Sequence, residues 1–437
     1  MSLKVTRKRK SVDVCGAIGD LYYRARVPGS SSASWDMLLE FTECSMVGKG
    51  SYGEVVQARW LGERVAIKRV EILEDNLSSD WENGLRVLRE LHFLKNLCHP
   101  NLSSLVTVYP NNPSASTTWL PARLDRVYVV TKYYSDGPLS SYVPRSVKEV
   151  IAIQHKLMSA LAYLHANGVL HRDVKRENIF VQRTAGLVPK VVLGDFGLSR
   201  SRRPGMTSEV VTKPYRCPSL LLQETEYGGE IDVFAAGIVF LEMLLGKPNV
   251  TLLPNKKMAI RSFLKHQLAL SHATTVSSRM TELASAMHID LVELVECTKN
   301  PSDFDDRMVL EWRRQAMAQI GEDGPAKEFA LKLVRFNPDD RLTANEALAD
   351  PIFHGLTCAN PAQTDEPSIR ETYDDSIRSL ASNDEKGFAL KRAIWSIIAQ
   401  QSFGQKLDSE MTKIFPGETV WEPRKRTRSQ CAQLTQI

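Results

Sequence analysis

Asp173, Lys175 and Asn178 stand close together, and a further acid, Asp195, follows between two glycines, in the run HRDVKRENIFVQRTAGLVPKVVLGDFGLSR from His171 to Arg200. Two carboxylates and an amide gathered in this way form a hard-oxygen site, the kind Mg²⁺ occupies when phosphate oxygens complete its shell. With Asn178 and Asp195 as metal ligands, Asp173 can accept a proton from an attacking hydroxyl, and Lys175 can neutralise charge on a transferring phosphoryl group. The chemistry this points to is phosphoryl transfer. Either motif alone also fits a solvated turn beside a buried strand; the two at this separation do not.

The elements that must position these groups are legible nearby. ENIFV and KVVLGDFG are short apolar runs parted by a polar turn, which predicts a β-hairpin holding the two acidic loops side by side. Upstream, Gly48, Gly50 and Gly53 form GxGxxG, a pattern that dinucleotide folds also use. A dinucleotide loop opens a helix, whereas EVVQARW and RVAIKRV are β-branched runs, so this loop joins two antiparallel strands. Its backbone N–H groups can then cradle phosphates, with glycine avoiding Cβ clashes. Lys68 closes the following strand, placed to reach the α- and β-phosphates. An amphipathic helix follows around ENGLRVLRELHFLKNL, with Leu85, Leu88, Leu91 and Leu94 as its expected apolar face. Glu90 falls within that face, where a carboxylate needs a partner, and Lys68 is the natural one; the competing reading pairs it with Arg86 or Lys95 on the same helix.

Composition sets the class. The chain has 437 residues, enough for two or three ordinary domains or one large bilobal one with tails. Its 56 basic and 51 acidic residues leave a net charge of only +5, too mild to argue for nucleic acid as the main partner. Seven scattered cysteines with no CxxC indicate neither a disulfide framework nor a zinc module, and point to a reducing, intracellular compartment, cytoplasmic or nuclear. KRK at 8–10 and PRKR at 423–426 fit nuclear import signals, though such runs are usually just solvated. There is no apolar leader at the N-terminus, and IDVFAAGIVFLEMLL is broken by Asp232 and Glu242, so it reads as a buried core helix and no membrane partner is expected.

From about Phe41 to about His354 the chain resembles a eukaryotic protein kinase, carrying GKGSYG, VAIK, the helix Glu90, HRDVKREN and DFG in order. The resemblance implies an α+β, bilobal fold with a small β-rich lobe and a larger helical lobe, and ATP with Mg²⁺ as cofactors. The expected divisions are a basic tail and linker over 1–35, a small lobe over 36–133, a large lobe over 134–358 with an insert at about 250–325, and a C-terminal extension over 359–437. The nucleotide contacts it implies are Val47, Gly48, Gly50, Gly53, Val55, Ala66, Lys68, Thr131 guarding a back pocket, and the backbones of Lys132 and Tyr134. Catalytic roles fall on Asp173, Lys175, Lys68, Glu90 and Thr212, the last bonding the catalytic Asp and Lys as in Ser/Thr kinases; metal binding falls on Asn178 and Asp195.

Within that superfamily, MTSEVVTKPYRCPSLLL looks most like the group of cyclin-dependent and MAP kinases. Thr207 stands at the activation-loop phosphosite, ahead of Ser208 and Glu209. A phosphate there needs cationic receptors, and Arg89, Arg172 and Arg200 match the family's three. Ser51 and Tyr52 match an inhibitory pair in the glycine loop. Asp232 matches the aspartate that holds the HRD backbone. Two departures stand out: Ser219 replaces the glutamate that pairs with a buried arginine, here matched by Arg341, and Pro214 replaces a tryptophan at the surface receiving the residue after the phosphoacceptor. Burying Arg341 without that acid is costly, so another acid, a water or greater exposure is expected to compensate. Arg216, the group's hallmark, is kept, and a Ser/Thr-Pro consensus is expected. The implied partners are protein substrates and an upstream kinase. A cyclin-like or other regulatory subunit stays open, because SDWENGLRVLRE stands where the cyclin-binding helix would be. An ATP-binding pseudokinase scaffold is the rival reading, motivated by Pro214 and Ser219. Past residue 358, FALKRAIWSIIAQQ sets Leu390, Ile394, Ile397 and Ile398 on one helical face, expected to pack on the chain itself, with a partner-docking helix as the alternative.

Overall fold

The computed structural model describes residues 22–25, 27, 30, 35–38, 40–50, 53–72, 78–111, 126–186, 188–201, 206, 211–212, 215–217, 220, 225–245, 324–335, 338–356, 390, 393–394 and 397–398. They belong to two compact units. The first takes in the chain up to Leu91, Ser104–Tyr133 and Ser379–Pro423; the second takes in His92–Ser103, Tyr134–Arg378 and the last residues from Arg424.

The first unit is built on an antiparallel sheet of five strands in the order β3 (Thr42–Gly50), β4 (Gly53–Trp60), β5 (Glu63–Glu71), β7 (Arg126–Lys132) and β6 (Leu105–Pro110). Side chains alternate across a strand, so register decides what shares a face. Val56 pairs with Ile67 and Ile67 with Val130; all three are fully buried in a core with Val65, Tyr109 and Tyr128. The opposite face carries Val55 across from Lys68 and Ala66 across from Thr131, all four half-buried. At the β3–β4 turn Gly53 has φ 139°, and a Cβ there would collide with the carbonyl of Arg69, so only glycine fits.

A two-stranded sheet, β1 (Tyr22–Ala25) with β2 (Trp35–Leu38), precedes it. Trp35 and Met37 are completely buried, packing with Val27 and Phe41 into the core of the larger sheet; the Trp35 and Tyr128 rings lie 5.9 Å apart. Ser30 links this segment to β4, accepting from Trp35 Nε1 at 2.9 Å and donating to Glu54 Oε2 at 2.5 Å. The reading of residues 1–35 as tail and linker missed this pairing. A four-residue strand is too short to show a period, and its apolar face is defined only by the sheet it covers.

Helix α1 spans Ser78–Asn96. It buries Val87, Leu88, Leu91 and Leu94 but leaves Leu85 only partly covered. Steps of three residues lag the 3.6-residue repeat by about 60° each, so Leu85 and Leu94 end on different sides. The C-terminal segment is helical at Leu390, Ala393, Ile394, Ile397 and Ile398, with Leu390, Ile394 and Ile398 buried and Ile397 partly so. Leu390 sits on Gly84 of α1, in the space that any Cβ at that position would fill.

The second unit is helical. Helix α2 (Val147–Ala166) is capped by Ser146, whose hydroxyl accepts from Glu149 N, and packs on α3 (Glu230–Leu245), which is buried from Ile231 to Met243. Helix α4 (Pro325–Leu333) and the short α5 (Ala344–Leu348) complete the core, with Phe329 edge-on to Phe240 and Phe353 at 5.7 and 4.9 Å. The expected hairpin is formed by β9 (Ile179–Gln182) and β10 (Lys190–Leu193), while β8 (Val169–Leu170) pairs with β11 (Arg200–Ser201). No helix among the described residues is long and apolar enough to cross a membrane.

Candidate active site

In the first unit, Lys68 on β5 and Glu90 on α1 meet: the ammonium lies 2.8 Å from each carboxylate oxygen, with Glu90 the more buried of the two. A two-oxygen grip on one ammonium fixes its position more firmly than a single contact would. Val55, Ala66 and Thr131 share the face of the sheet from which Lys68 projects. Val47 is exposed, and Gly48 and Gly50 lie at the end of β3.

In the second unit the catalytic candidates form one hydrogen-bonded group around Asp173, a residue only 3% exposed. Its Oδ2 accepts from Lys175 Nζ at 2.7 Å and from Asn178 Nδ2 at 2.9 Å, and its Oδ1 accepts from the Thr212 hydroxyl at 2.8 Å. Lys175 also donates to Thr212 Oγ1 at 3.0 Å. Asn178 spends its amide nitrogen on Asp173, including the backbone carbonyl at 2.9 Å, which leaves the amide oxygen as the atom suited to a cation. Asp195 lies just past the end of β10 with φ 64°, a left-handed conformation rare for a non-glycine and a mark of a constrained site. Its Oδ1 accepts from Gly197 N at 3.3 Å.

Behind this group, His171 joins the two acidic loops. It receives Asp173 N at Nδ1 (3.3 Å) and lies 3.1 Å from the Gly194 carbonyl through Nε2. A carbonyl can only accept and an N–H only donate, so the ring is neutral with its proton on Nε2. Burial, which lowers its pKa against the pull of Asp232, Asp173 and Asp195, agrees. Asp232 on α3 accepts the backbone N–H of His171 and of Arg172 at 2.8 Å each, clamping the turn in which Arg172 has φ 67°. Burial opposes ionising Asp232, yet bonds from His165 and the backbone win and hold its pKa below the ordinary value.

No group of three or more His, Cys, Asp or Glu among the described residues is arranged to hold a metal ion by itself. Mg²⁺ takes one or two protein oxygens and completes its octahedron from phosphate and water. Asn178 and Asp195 can supply those oxygens.

Arg341 is 4% exposed, so greater exposure is not what compensates for the missing glutamate. Its guanidinium donates to Glu230 O at 2.7 Å and twice to Arg335 O at 3.2 and 2.8 Å, and it lies 4.9 Å over the Phe234 ring. Of the three arginines expected to receive a phosphate, Arg89 is buried on α1 in the first unit. Arg172 and Arg200, in the second unit, both act on the buried phenol of Tyr227, whose pKa burial raises and the two cations lower. Tyr134 is buried, its phenol pushed up to about 12, and Lys132 is exposed at the end of β7. Thr207, Ser208, Glu209, Ser51, Tyr52, Pro214, Ser219 and the insert over 250–323 lie outside the described residues.

Two participants escaped the sequence reading. His165, at the end of α2, places Nε2 3.0 Å from Asp232 Oδ2. Glu242, noted only as a break in an apolar helix, is 6% exposed and accepts from the Tyr215 hydroxyl at 3.2 Å. Its signal was present: a carboxylate inside an otherwise apolar helix must be paid for by a partner.

The protein kinase domain family profile matches residues 41–353. Among characterised proteins, the chain is similar to the mitogen-activated protein kinase Hog1 of Zymoseptoria tritici, 29% identical over 361 residues covering 82% of this chain and 88% of that protein. It is similarly close to the mitogen-activated protein kinase sakA of Aspergillus fumigatus, 29% identical over 362 residues covering 82% and 86%.

Proposed function

The chain belongs to the protein kinase family, and from that premise we propose that its serine/threonine kinase activity runs on the residues grouped around Asp173, with MgATP as phosphoryl donor. The observation that carries the assignment of roles is the set of bonds from Lys175, Asn178 and Thr212 onto one buried carboxylate. Asp173 orients the acceptor hydroxyl and takes its proton as the oxygen attacks the γ-phosphorus. The bond to the bridging oxygen breaks and ADP leaves. Lys175 stabilises negative charge on the group in transit, and Lys68, held by Glu90, steadies the α- and β-phosphates. Asn178 and Asp195 would hold Mg²⁺, which supplies charge neutralisation on the phosphates. Val47, Val55, Ala66 and Thr131 would line the adenine, and the backbones of Lys132 and Tyr134 would bond it.

The Thr212 contact supports Ser and Thr over Tyr as acceptors. Protein substrates and an upstream activating kinase follow from the similarity to MAP kinases. The finer reading is a proline-directed enzyme, switched on by phosphate at Thr207 received by Arg89, Arg172 and Arg200, damped by phosphate at Ser51 or Tyr52, and acting inside the cell. A cyclin-like subunit is a further candidate partner.

The test is transfer from labelled MgATP onto a peptide library by the purified chain, with Asp195→Asn as control. Transfer by the wild type and none by the variant is expected. Activity retained in Asp195→Asn would remove the metal assignment, and ATP binding without transfer even after phosphorylation of Thr207 would leave the scaffold reading.

A further inference from the structure

Side chains alternate along β4, so Glu54 lies on the same face as Val56 and Ala58, opposite the face that carries Val55. Those two neighbours are apolar and buried, yet position 54 is a carboxylate and is itself only 6% exposed. Burying it is costly unless donors meet it. Arg69, directly across on β5, brings the opposite charge, but its Nη2 donates to Glu71, and its Nε and Nη1 make no hydrogen bond among the described residues. A donor comes instead from the segment before the sheet, where the Ser30 hydroxyl donates to Glu54 Oε2 at 2.5 Å.

Ser30 is itself held. Its N–H donates to Val27 O at 3.1 Å, and its oxygen accepts from Trp35 Nε1 at 2.9 Å, which leaves the hydroxyl proton for Glu54. Val27 and Trp35 are both buried in the core of the sheet, and the Arg69 guanidinium lies 5.9 Å over the Trp35 ring. At the other end of this chain of bonds, Glu54 directly follows Gly53 of the β3–β4 turn. The pairs Gly50–Gly53 and Lys49–Glu54 tie the two strands together there. What fixes Glu54 therefore fixes the root of the glycine turn.

We infer that Ser30 is a positioning residue for the nucleotide: from the outer face of the sheet, through Glu54, it holds the glycine turn where its backbone N–H groups meet the ATP phosphates. The inference rests on the nucleotide contacts of the kinase reading. It gives the strand pair before the sheet a role beyond covering the core. That cover does not itself need an acid at 54, since a valine, as at 55 and 56, would suit the burial pattern of β4. A hydroxyl bonded to a carboxylate is stronger than one bonded to a neutral acceptor, so the tether is firm while Trp35 keeps the serine oriented.

The experiment measures the dissociation constants of MgATP and of adenosine by calorimetric titration in the full chain and in Ser30→Ala, Ser30→Thr, Glu54→Val and the double variant Ser30→Ala with Glu54→Val. Adenosine carries no phosphates, so it reports the rest of the site without the glycine turn. MgATP is expected to bind about threefold to tenfold more weakly in Ser30→Ala and in Glu54→Val, as part of one charge-assisted hydrogen bond is lost, with adenosine unmoved. Ser30→Thr keeps the hydroxyl and should bind MgATP as the wild type does. The double variant is expected to be no worse than either single one, because both remove the same bond. Ser30→Ala removes a single oxygen and keeps the test standing if Glu54→Val does not fold. Wild-type affinity for MgATP in Ser30→Ala, an equal loss for adenosine, or additive losses in the double variant would each overturn the inference while leaving the kinase reading intact. A wild type that binds MgATP yet transfers no phosphate after activation would overturn the kinase reading alone, with the same affinities still deciding the inference. One that binds no MgATP would overturn both.

Discussion

Thr212 donates its hydroxyl to Asp173 Oδ1 at 2.8 Å while accepting from Lys175 Nζ at 3.0 Å, so one threonine holds the proton acceptor and the charge stabiliser in fixed relation. Thr212→Ala leaves both without that constraint. Its kcat is expected to fall about tenfold to a hundredfold, with KM for ATP little changed. Thr212→Ser keeps the hydroxyl and should recover most of the rate. Steady-state kinetics on a peptide acceptor check both.

Glu90 grips the Lys68 ammonium with two oxygens. Glu90→Gln retains one acceptor and removes the charge, so Lys68 is held less firmly. About a tenfold loss in kcat/KM for ATP is expected, since a hydrogen bond to a charged group contributes more than a neutral one. Circular dichroism should show the fold unchanged, because the pair is not fully buried.

Leu390 fills the space above Gly84 and is 3% exposed. Leu390→Ala is expected to destabilise the protein by about 2–3 kcal/mol, the usual cost of emptying a packed leucine site. Gly84→Phe should dislodge the same contact from the other side. Denaturant unfolding measures both; a Leu390→Ala variant as stable as the wild type would show that the contact is not made in solution.

His99 is 9% exposed, stacked 5.1 Å from the Tyr163 ring, and burial drives its pKa down to about 4, with Lys156 adding to the effect. The sign follows from linkage: the unfolded chain binds this proton near pH 6.5 and the folded one only near 4, so stability is full above 6.5 and lost as pH falls between the two. His155, lowered to about 4 by burial, acts in the same direction. The melting temperature should therefore decline on acidification below about pH 6.5. In His99→Asn that decline should be shallower.

What the sequence by itself determined is the chemistry and the local scaffolding. Asp173, Lys175, Asn178 and Asp195 lie within one short run, and the hairpin of β9 and β10 that joins them is written in two apolar runs and a polar turn. Lys68 and Glu90 were readable as partners because a carboxylate on an apolar helix face must find a cation. What only the tertiary structure decided are relations between distant segments whose local patterns are weak. The strands Tyr22–Ala25 and Trp35–Leu38 are too short to show a period, and Trp35 is buried because the sheet beneath offers a complementary apolar face. Arg341 donates to backbone carbonyls, which carry no sequence signature since every residue has one. His165 meets Asp232 across 67 residues, a contact set by how α2 and α3 pack, and Glu242 of α3 meets Tyr215 across 27. A residue's type limits what it can bond, while its partner is chosen by the packing that brings two chain segments to the same place.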